Sequence, residues 1–205
     1  MKTYPSIPNS NGQNFQGLGV VDVFDKLDGN NFRAEWSRKQ GWHKFGTRTQ
    51  MIDGSDPQFG PAVPFFCDTM GEWIPTCSKK IPNKLVVFAE WYSDESFGGQ
   101  HPEGADMKMA LIDCCWEQKG WLDPRDFRKA FEGKVPTATY LGQYNWTRGF
   151  VDRVREGEID CTFEGVVGKT IQGGQLKMGK AKTQAWLDRV YANYPAHVAE
   201  RMVKS

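Results

Sequence analysis

The run Lys84-Leu85-Val86-Val87-Phe88-Ala89-Glu90-Trp91-Tyr92 constrains the fold more than any other stretch of the chain. Its β-branched and aromatic side chains read as a strand over 84–92. Glu90 is the informative residue, because a carboxylate inside such a run is costly unless it is paired or meets a ligand. An ion pair with a neighbouring strand and a ligand contact explain it equally well. Other short segments predict further strands at 18–24, 31–36, 43–51 and 108–115, and the first three are expected to form a small antiparallel meander.

Towards the end of the chain, 162–169 and 175–182 flank Gly173-Gly174 and predict a hairpin. Lys180 and Lys182 are two apart and so face the same side of their strand. Facing a strand that carries Lys169, they repel unless an anion lies between them, which makes this hairpin the best intrinsic evidence for a phosphate site. Glu164 and Lys169 are five apart, so a straight strand puts them on opposite faces. Both reach one pocket only if the strand bends, at Gly165 or Gly168.

Helices are predicted at 62–70, at 124–132 behind the N-cap Asp123 and Pro124, at 146–155, and at 183–192 and 195–203. Phe127, Ala130 and Phe131 fall at helical spacing and belong to the core. His101 lies in the Gly- and Pro-containing loop 96–107, where it serves as an acid–base group or as a structural loop residue.

One lysine stands apart. Lys26 follows the first strand and precedes Asp28-Gly29-Asn30, ordinary turn chemistry that also suits a surface hairpin. A lysine held rigidly among other cations, or partly desolvated, becomes a nucleophile. A lysine on a fixed turn, with further lysines arriving later in the chain, suits a covalent lysine–nucleotide intermediate, and the pattern alone equally suits a plain surface hairpin.

The bulk numbers bound the class. The chain has 205 residues, 39% hydrophobic and 25% charged, which describes one globular domain over 1–205. A net charge of +1 gives no global attraction to a polyanion, so a nucleic acid would meet a local basic patch. Arg33, Lys44, Lys79 and Lys80 are the candidates for it. The five cysteines lack paired C-x-x-C spacing and read as reduced, mostly buried thiols. No run is long and apolar enough for a membrane span, and the amino terminus lacks the apolar core of a signal peptide, so a cytoplasmic location is expected.

Taken in order, Lys26-Leu27-Asp28-Gly29, Asn31, Arg48, Phe88-Ala89-Glu90, Glu164-Gly165-Val166-Val167-Gly168-Lys169 and Lys180-Ala181-Lys182 resemble the covalent nucleotidyltransferase superfamily of ATP-dependent ligases and capping enzymes. Within it the chain is most similar to small RNA ligases of the kind bacteriophages carry, from about residue 20 to residue 190. The resemblance implies an α+β nucleotidyltransferase fold of antiparallel sheets flanked by helices, ATP-grasp-like; many relatives add a carboxy-terminal domain, and no such extra domain is expected here. It implies Lys26 as nucleophile towards ATP, with Lys169, Lys180 and Lys182 as cationic neighbours that favour its neutral form. It further implies Asp25, Asn31, Arg48, Glu90, Ile112, Glu164 and Lys169 as nucleotide contacts, and Mg²⁺ or Mn²⁺ held by Glu164 directly or through water.

Asn31 follows Lys26 by five residues, as in RNA ligases of this type, so RNA is favoured over DNA as the nucleic-acid partner. The chain departs from the pattern at Ile112, where relatives often stack an aromatic residue on adenine. Few residues follow Lys182, so the chain is a minimal ligase or works with a partner protein that supplies a missing domain. A DNA ligase, a capping-type guanylyltransferase and a non-catalytic nucleotide- or RNA-binding module are the alternatives.

Overall fold

The computed structural model describes residues 1–11, 15–76, 83–117 and 120–204. It divides into two compact units, one of residues 1–4 and 29–137, the other of residues 5–28 and 138–205. In chain order the strands are β1 (Gly19–Asp25), β2 (Asn30–Ser37), β3 (Gly41–Thr47), β4 (Met51–Ile52), β5 (Lys84–Tyr92), β6 (Lys108–Trp116), β7 (Gly120–Trp121), β8 (Tyr140–Trp146), β9 (Gly165–Gln172) and β10 (Gln175–Lys182). The α-helices are α1 (Ala62–Phe66), α2 (Pro124–Phe131), α3 (Arg148–Arg155), α4 (Gln184–Asn193) and α5 (Ala196–Lys204).

The first unit is built on an antiparallel sheet of order β4-β3-β2-β5-β6-β7. One face is apolar: Phe32, Ala34, Leu85, Val87, Ala89 and Leu111 pack with Phe66 of α1 and with Phe127 and Phe131 of α2. The helix start predicted at Asp123 is as expected, its carboxylate accepting from the Arg125 amide at 2.9 Å. Across the other face runs the segment Met1–Tyr4. The Arg33 guanidinium donates to the Lys2 carbonyl and the Thr3 hydroxyl at 3.1 and 2.9 Å. The Tyr4 ring packs against Phe88 and Trp121, and its hydroxyl donates to Asp113. Ladder pairing slips between Phe88 and Ala89, leaving Ile112 as the extra residue of a bulge in β6.

The second unit carries a sheet of order β10-β9-β1-β8. Val21, Val23, Val166 and Ala181 bury one face against Phe150, Val151 and Val154 of α3. Trp146 fills the middle of this layer, and glycines make room for it: a Cβ on Gly168 would sit 2.6 Å from its ring. The expected hairpin of β9 and β10 is present, with Lys180 opposite Val167 and Lys182 opposite Gly165.

The expected opening meander is not. β2 and β3 do form a hairpin, but β1 pairs with β8 and β9 and belongs to the other sheet. The Lys26 segment is therefore a crossing between sheets, not a hairpin turn. Its partner β8 was not predicted, because Gly142, Gln143 and Asn145 break the apolar alternation. Among the described residues no helix is long and apolar enough to cross a membrane.

Candidate active site

β1 ends in a segment bonded at Asp25, Lys26 and Asp28. The Lys26 amide donates to the Gly165 carbonyl at 2.9 Å, and the Lys26 carbonyl accepts from the Thr162 hydroxyl at 2.9 Å. The Asp25 carboxylate accepts from the Thr162 amide at 2.8 Å. Burial pushes the Asp25 carboxyl up from its ordinary range, and the bonds from Thr162 and Thr139 offset part of that. Asp28 accepts from the Trp186 indole at 2.8 Å. Asp25, a candidate for reading a base edge, thus spends one oxygen on holding the loop.

On this rigid segment the Lys26 ammonium lies 2.8 Å from Oε1 of Glu164, and the same oxygen is 3.2 Å from the Lys182 ammonium. Lys26 is partly open, at 18% side-chain exposure, whereas Glu164 and Lys182 are buried. Burial drives the Lys182 ammonium down to about 8, helped by the positive charge of Lys26 and opposed by Glu164 and Asp28. A partly open lysine with a buried carboxylate and a second buried lysine is an arrangement suited to an anionic, electrophilic ligand.

Lys180 and Lys182 share one face of the sheet, as their spacing predicts, and the hairpin register brings Lys169 to the same face. The Glu164–Lys169 difficulty disappears because Glu164 precedes β9, and the backbone bends at Gly165 with φ at 135°. The three cations still differ in surroundings. The Lys169 ammonium sits 5.0 Å over the Phe24 ring. Those of Lys180 and Lys182 donate to the Lys204 and Met202 carbonyls in the last turn of α5, at 3.2 and 2.9 Å, where a helix presents negative partial charge.

The remaining candidates lie in the first unit. Asn31 and Glu90 are cross-strand neighbours on β2 and β5. Both polar atoms of the Asn31 amide are buried without a hydrogen-bond partner, an arrangement that a ligand group would relieve. Arg48 is exposed in the turn after β3, near enough for its charge to act on Tyr4, as do Glu90 and Asp113. Burial, with Asp113 beside it, keeps the Tyr4 hydroxyl protonated. Ile112 is half-buried.

Of the basic patch, Arg33 is buried at 6% exposure and holds the Met1–Tyr4 segment, so it offers nothing at the surface. Lys44 is half exposed but reaches Glu35, which also takes Lys84 and His43 at 3.2–3.3 Å. Burial would raise the Glu35 carboxyl, but hydrogen bonds from Lys44 and Lys84 hold it below its ordinary value. Lys79 and Lys80 lie outside the described residues. His101 ties its loop together, with Nδ1 2.7 Å from the Ser96 hydroxyl and Nε2 2.8 Å from the Asn30 amide nitrogen.

Among the described residues no three His, Cys, Asp or Glu side chains gather as a metal cage. Beside Lys26, Glu164 offers a carboxylate oxygen of the kind a hard cation takes. Thr162 and Trp186 carry no local sequence signal for the site, because each reaches it from a distant part of the chain.

No family model matches the sequence, and no curated protein matches it in sequence. The likeness is in the fold. The structure is similar to a mutant of Naegleria gruberi RNA ligase with AMP and Mn, at a TM-score of 0.66 and 13% identity over 92% of this chain and 58% of that one. The same ligase with PPi matches at 0.65 and 13%, over 94% and 59%. A protein of Aquifex aeolicus assigned as an ATP-dependent DNA ligase matches at 0.60 and 18%, over 99% and 57%. The chain spans little more than half the length of these proteins. Its fold, two antiparallel sheets flanked by helices, is the nucleotidyltransferase fold of such ligases.

Proposed function

We propose that this chain is an ATP-dependent polynucleotide ligase, acting on RNA in preference to DNA, that joins 5′-phosphate and 3′-hydroxyl ends through a lysyl–AMP on Lys26. The observation that carries this reading is the pairing of Lys26 with a buried carboxylate shared by Lys182, on a loop bonded at Asp25, Lys26 and Asp28. The structural neighbours solved with AMP and Mn and with PPi support ATP and a divalent metal as the ligands.

In the first step Lys26, having given up its proton, attacks the α-phosphorus of ATP. A nitrogen–phosphorus bond forms and the bond to pyrophosphate breaks. Lys182, with Lys169 and Lys180 on the same sheet face, supplies positive charge towards the phosphates, the larger part of catalysis in phosphoryl transfer. Mg²⁺ or Mn²⁺ held by Glu164 would neutralise further phosphate charge. Glu90 and Arg48 are the ribose contacts and Ile112 an apolar contact for the base, all three assigned from the family resemblance.

AMP then passes from Lys26 to the 5′-phosphate of the nucleic acid, and a 3′-hydroxyl displaces it as the strands join. Asn31, with its unspent amide, is the residue assigned to these later steps and to the preference for RNA. The two compact units together are read as one adenylyltransferase domain, located in the cytoplasm. A partner protein is proposed as a further contact beside the nucleic acid.

Labelled strands with 5′-phosphate nicks in RNA, DNA and hybrid duplexes, and single-stranded ends, test the proposal. ATP-dependent sealing that is faster on RNA supports it. Faster sealing of DNA makes the chain a DNA ligase, and labelling by GTP in place of ATP makes it a capping-type enzyme.

A further inference from the structure

Trp186 is 1% exposed and lies in the first turn of α4. Its backbone is fixed before its side chain does anything. The Thr183 hydroxyl accepts from the Trp186 amide at 3.1 Å and donates to the Phe163 carbonyl at 2.6 Å, while the Thr183 amide donates to the Glu164 carbonyl at 3.1 Å. The start of α4 is thereby bonded to the two residues that enter β9, one of them Glu164.

From that seat the indole makes two polar contacts at once. Its N–H donates to Asp28 at 2.8 Å, and the Lys182 ammonium lies 3.9 Å over its ring. Asp28 is two residues beyond Lys26, and Lys182 shares a Glu164 oxygen with Lys26. One side chain therefore touches the loop that carries the nucleophile and the cation beside it. A phenylalanine offers the ring face without the donor, and an aliphatic residue offers neither. A bond from a neutral donor to a carboxylate is among the stronger kind, and the ring contact is favoured where water is excluded.

We propose that Trp186 is the positioning residue of this site, fixing the Lys26 loop through Asp28 and the Lys182 ammonium through its ring, so that nucleophile and cation keep one spacing. The inference rests on the lysyl–nucleotide reading above. Reacting atoms must meet within a few tenths of an ångström of an attack geometry, and a misplacement of about 1 Å costs about 100-fold in rate. Trp186 acts through Asp28 and Lys182 and need not touch the nucleotide.

The test is a double-mutant cycle of Trp186→Phe and Asp28→Ala, with Trp186→Leu beside it and folding checked by circular dichroism and thermal melts. Two readouts are taken: the rate constant and KM for lysyl–AMP formation from ATP, and trace acetylation of Lys26 mapped by peptide mass, which needs no nucleotide. Lys204, 78% exposed at its side chain, serves as the internal standard.

Trp186→Phe is expected to lower the rate constant at saturating ATP about tenfold with KM changed less than about twofold, and to add no further loss in the Asp28→Ala background. Trp186→Leu is expected to lower the rate constant further and to raise KM. The reactivity of Lys26 changes alike in Trp186→Phe and Asp28→Ala while that of Lys204 stays put. Losses that add, a wild-type rate in Trp186→Phe, or an unchanged Lys26 reactivity overturn the inference. If Trp186→Leu does not fold, the Phe cycle decides alone. If the wild type forms no adduct, the ligase reading falls, and the coupled change in Lys26 reactivity still decides whether Trp186 positions the loop.

Discussion

Lys26 and Lys182 are held to one carboxylate oxygen, Oε1 of Glu164, at 2.8 and 3.2 Å. Two ammonium groups that would repel are bridged by a single buried acceptor, and that acceptor enters β9 through a glycine bend. Lys26, Lys182 and their shared counter-ion are thus one unit, and the chemistry proposed for Lys26 depends on all three.

Glu164→Gln tests the unit as a unit. It keeps the shape and removes the charge, leaving Lys182 buried beside a second cation. Removing one partner of a buried pair costs about 3 kcal/mol or more. The expected result is a loss of stability of about that size in urea unfolding and a fall of about 100-fold in lysyl–AMP formation. A variant as stable as the wild type would show that Glu164 does not hold the two lysines together.

Asn31→Ala is expected to behave in the opposite way. Both amide atoms are buried without a partner, so the folded protein already bears a desolvation cost of about 1–3 kcal/mol there. The variant should lose less than about 1 kcal/mol of stability, or gain some. It should still form lysyl–AMP, yet seal pre-adenylylated RNA at least about tenfold more slowly. Strong destabilisation with normal sealing would make Asn31 a structural residue.

Lys182 predicts a pH dependence of stability. Burial has lowered it to about 8 from an ordinary 10.5. Between those values the unfolded chain binds a proton that the folded chain does not, so stability rises with pH across this window. Compared with Lys182→Met, in chelator and without nucleotide, the wild type should gain up to about 3 kcal/mol between pH 8 and pH 10.5. Parallel stability curves for the two proteins would contradict the assignment.

Gly165→Ala probes the bend. Gly165 has φ at 135°, and an added Cβ would lie 2.1 Å from the Ala181 carbonyl oxygen. The β9–β10 pairing at Lys182 must open to admit it. A loss of about 3 kcal/mol, or failure to fold, is expected, with lysyl–AMP formation reduced in any protein that does fold. Normal stability and activity would show that Glu164 reaches the lysines without the bend.

Local chemistry was legible in the sequence where a segment decides its own structure. β5 and β10 fall where their runs predict, α2 starts at its Asp123 cap, and the common face of Lys180 and Lys182 follows from strand period alone. What could not be read depends on distant partners. β1 looked like half of a hairpin because Asp28-Gly29-Asn30 is good turn chemistry, while its real partner β8 carries Gly142, Gln143 and Asn145 and shows no strand pattern. Arg33 looked like a surface cation, and only the Met1–Tyr4 segment lying across β2 buries it. Trp186 follows Lys182 by four residues, but its reach to Asp28 exists only once α4 is bonded to the start of β9.

The most direct measurement is the intact mass of the protein after incubation with ATP and Mg²⁺, beside Lys26→Ala and a parallel incubation with GTP. The account predicts a covalent AMP adduct on the wild type, mapped to Lys26, absent in Lys26→Ala and absent with GTP. A folded wild-type protein, shown to carry no adduct beforehand, that gains none from ATP would contradict it.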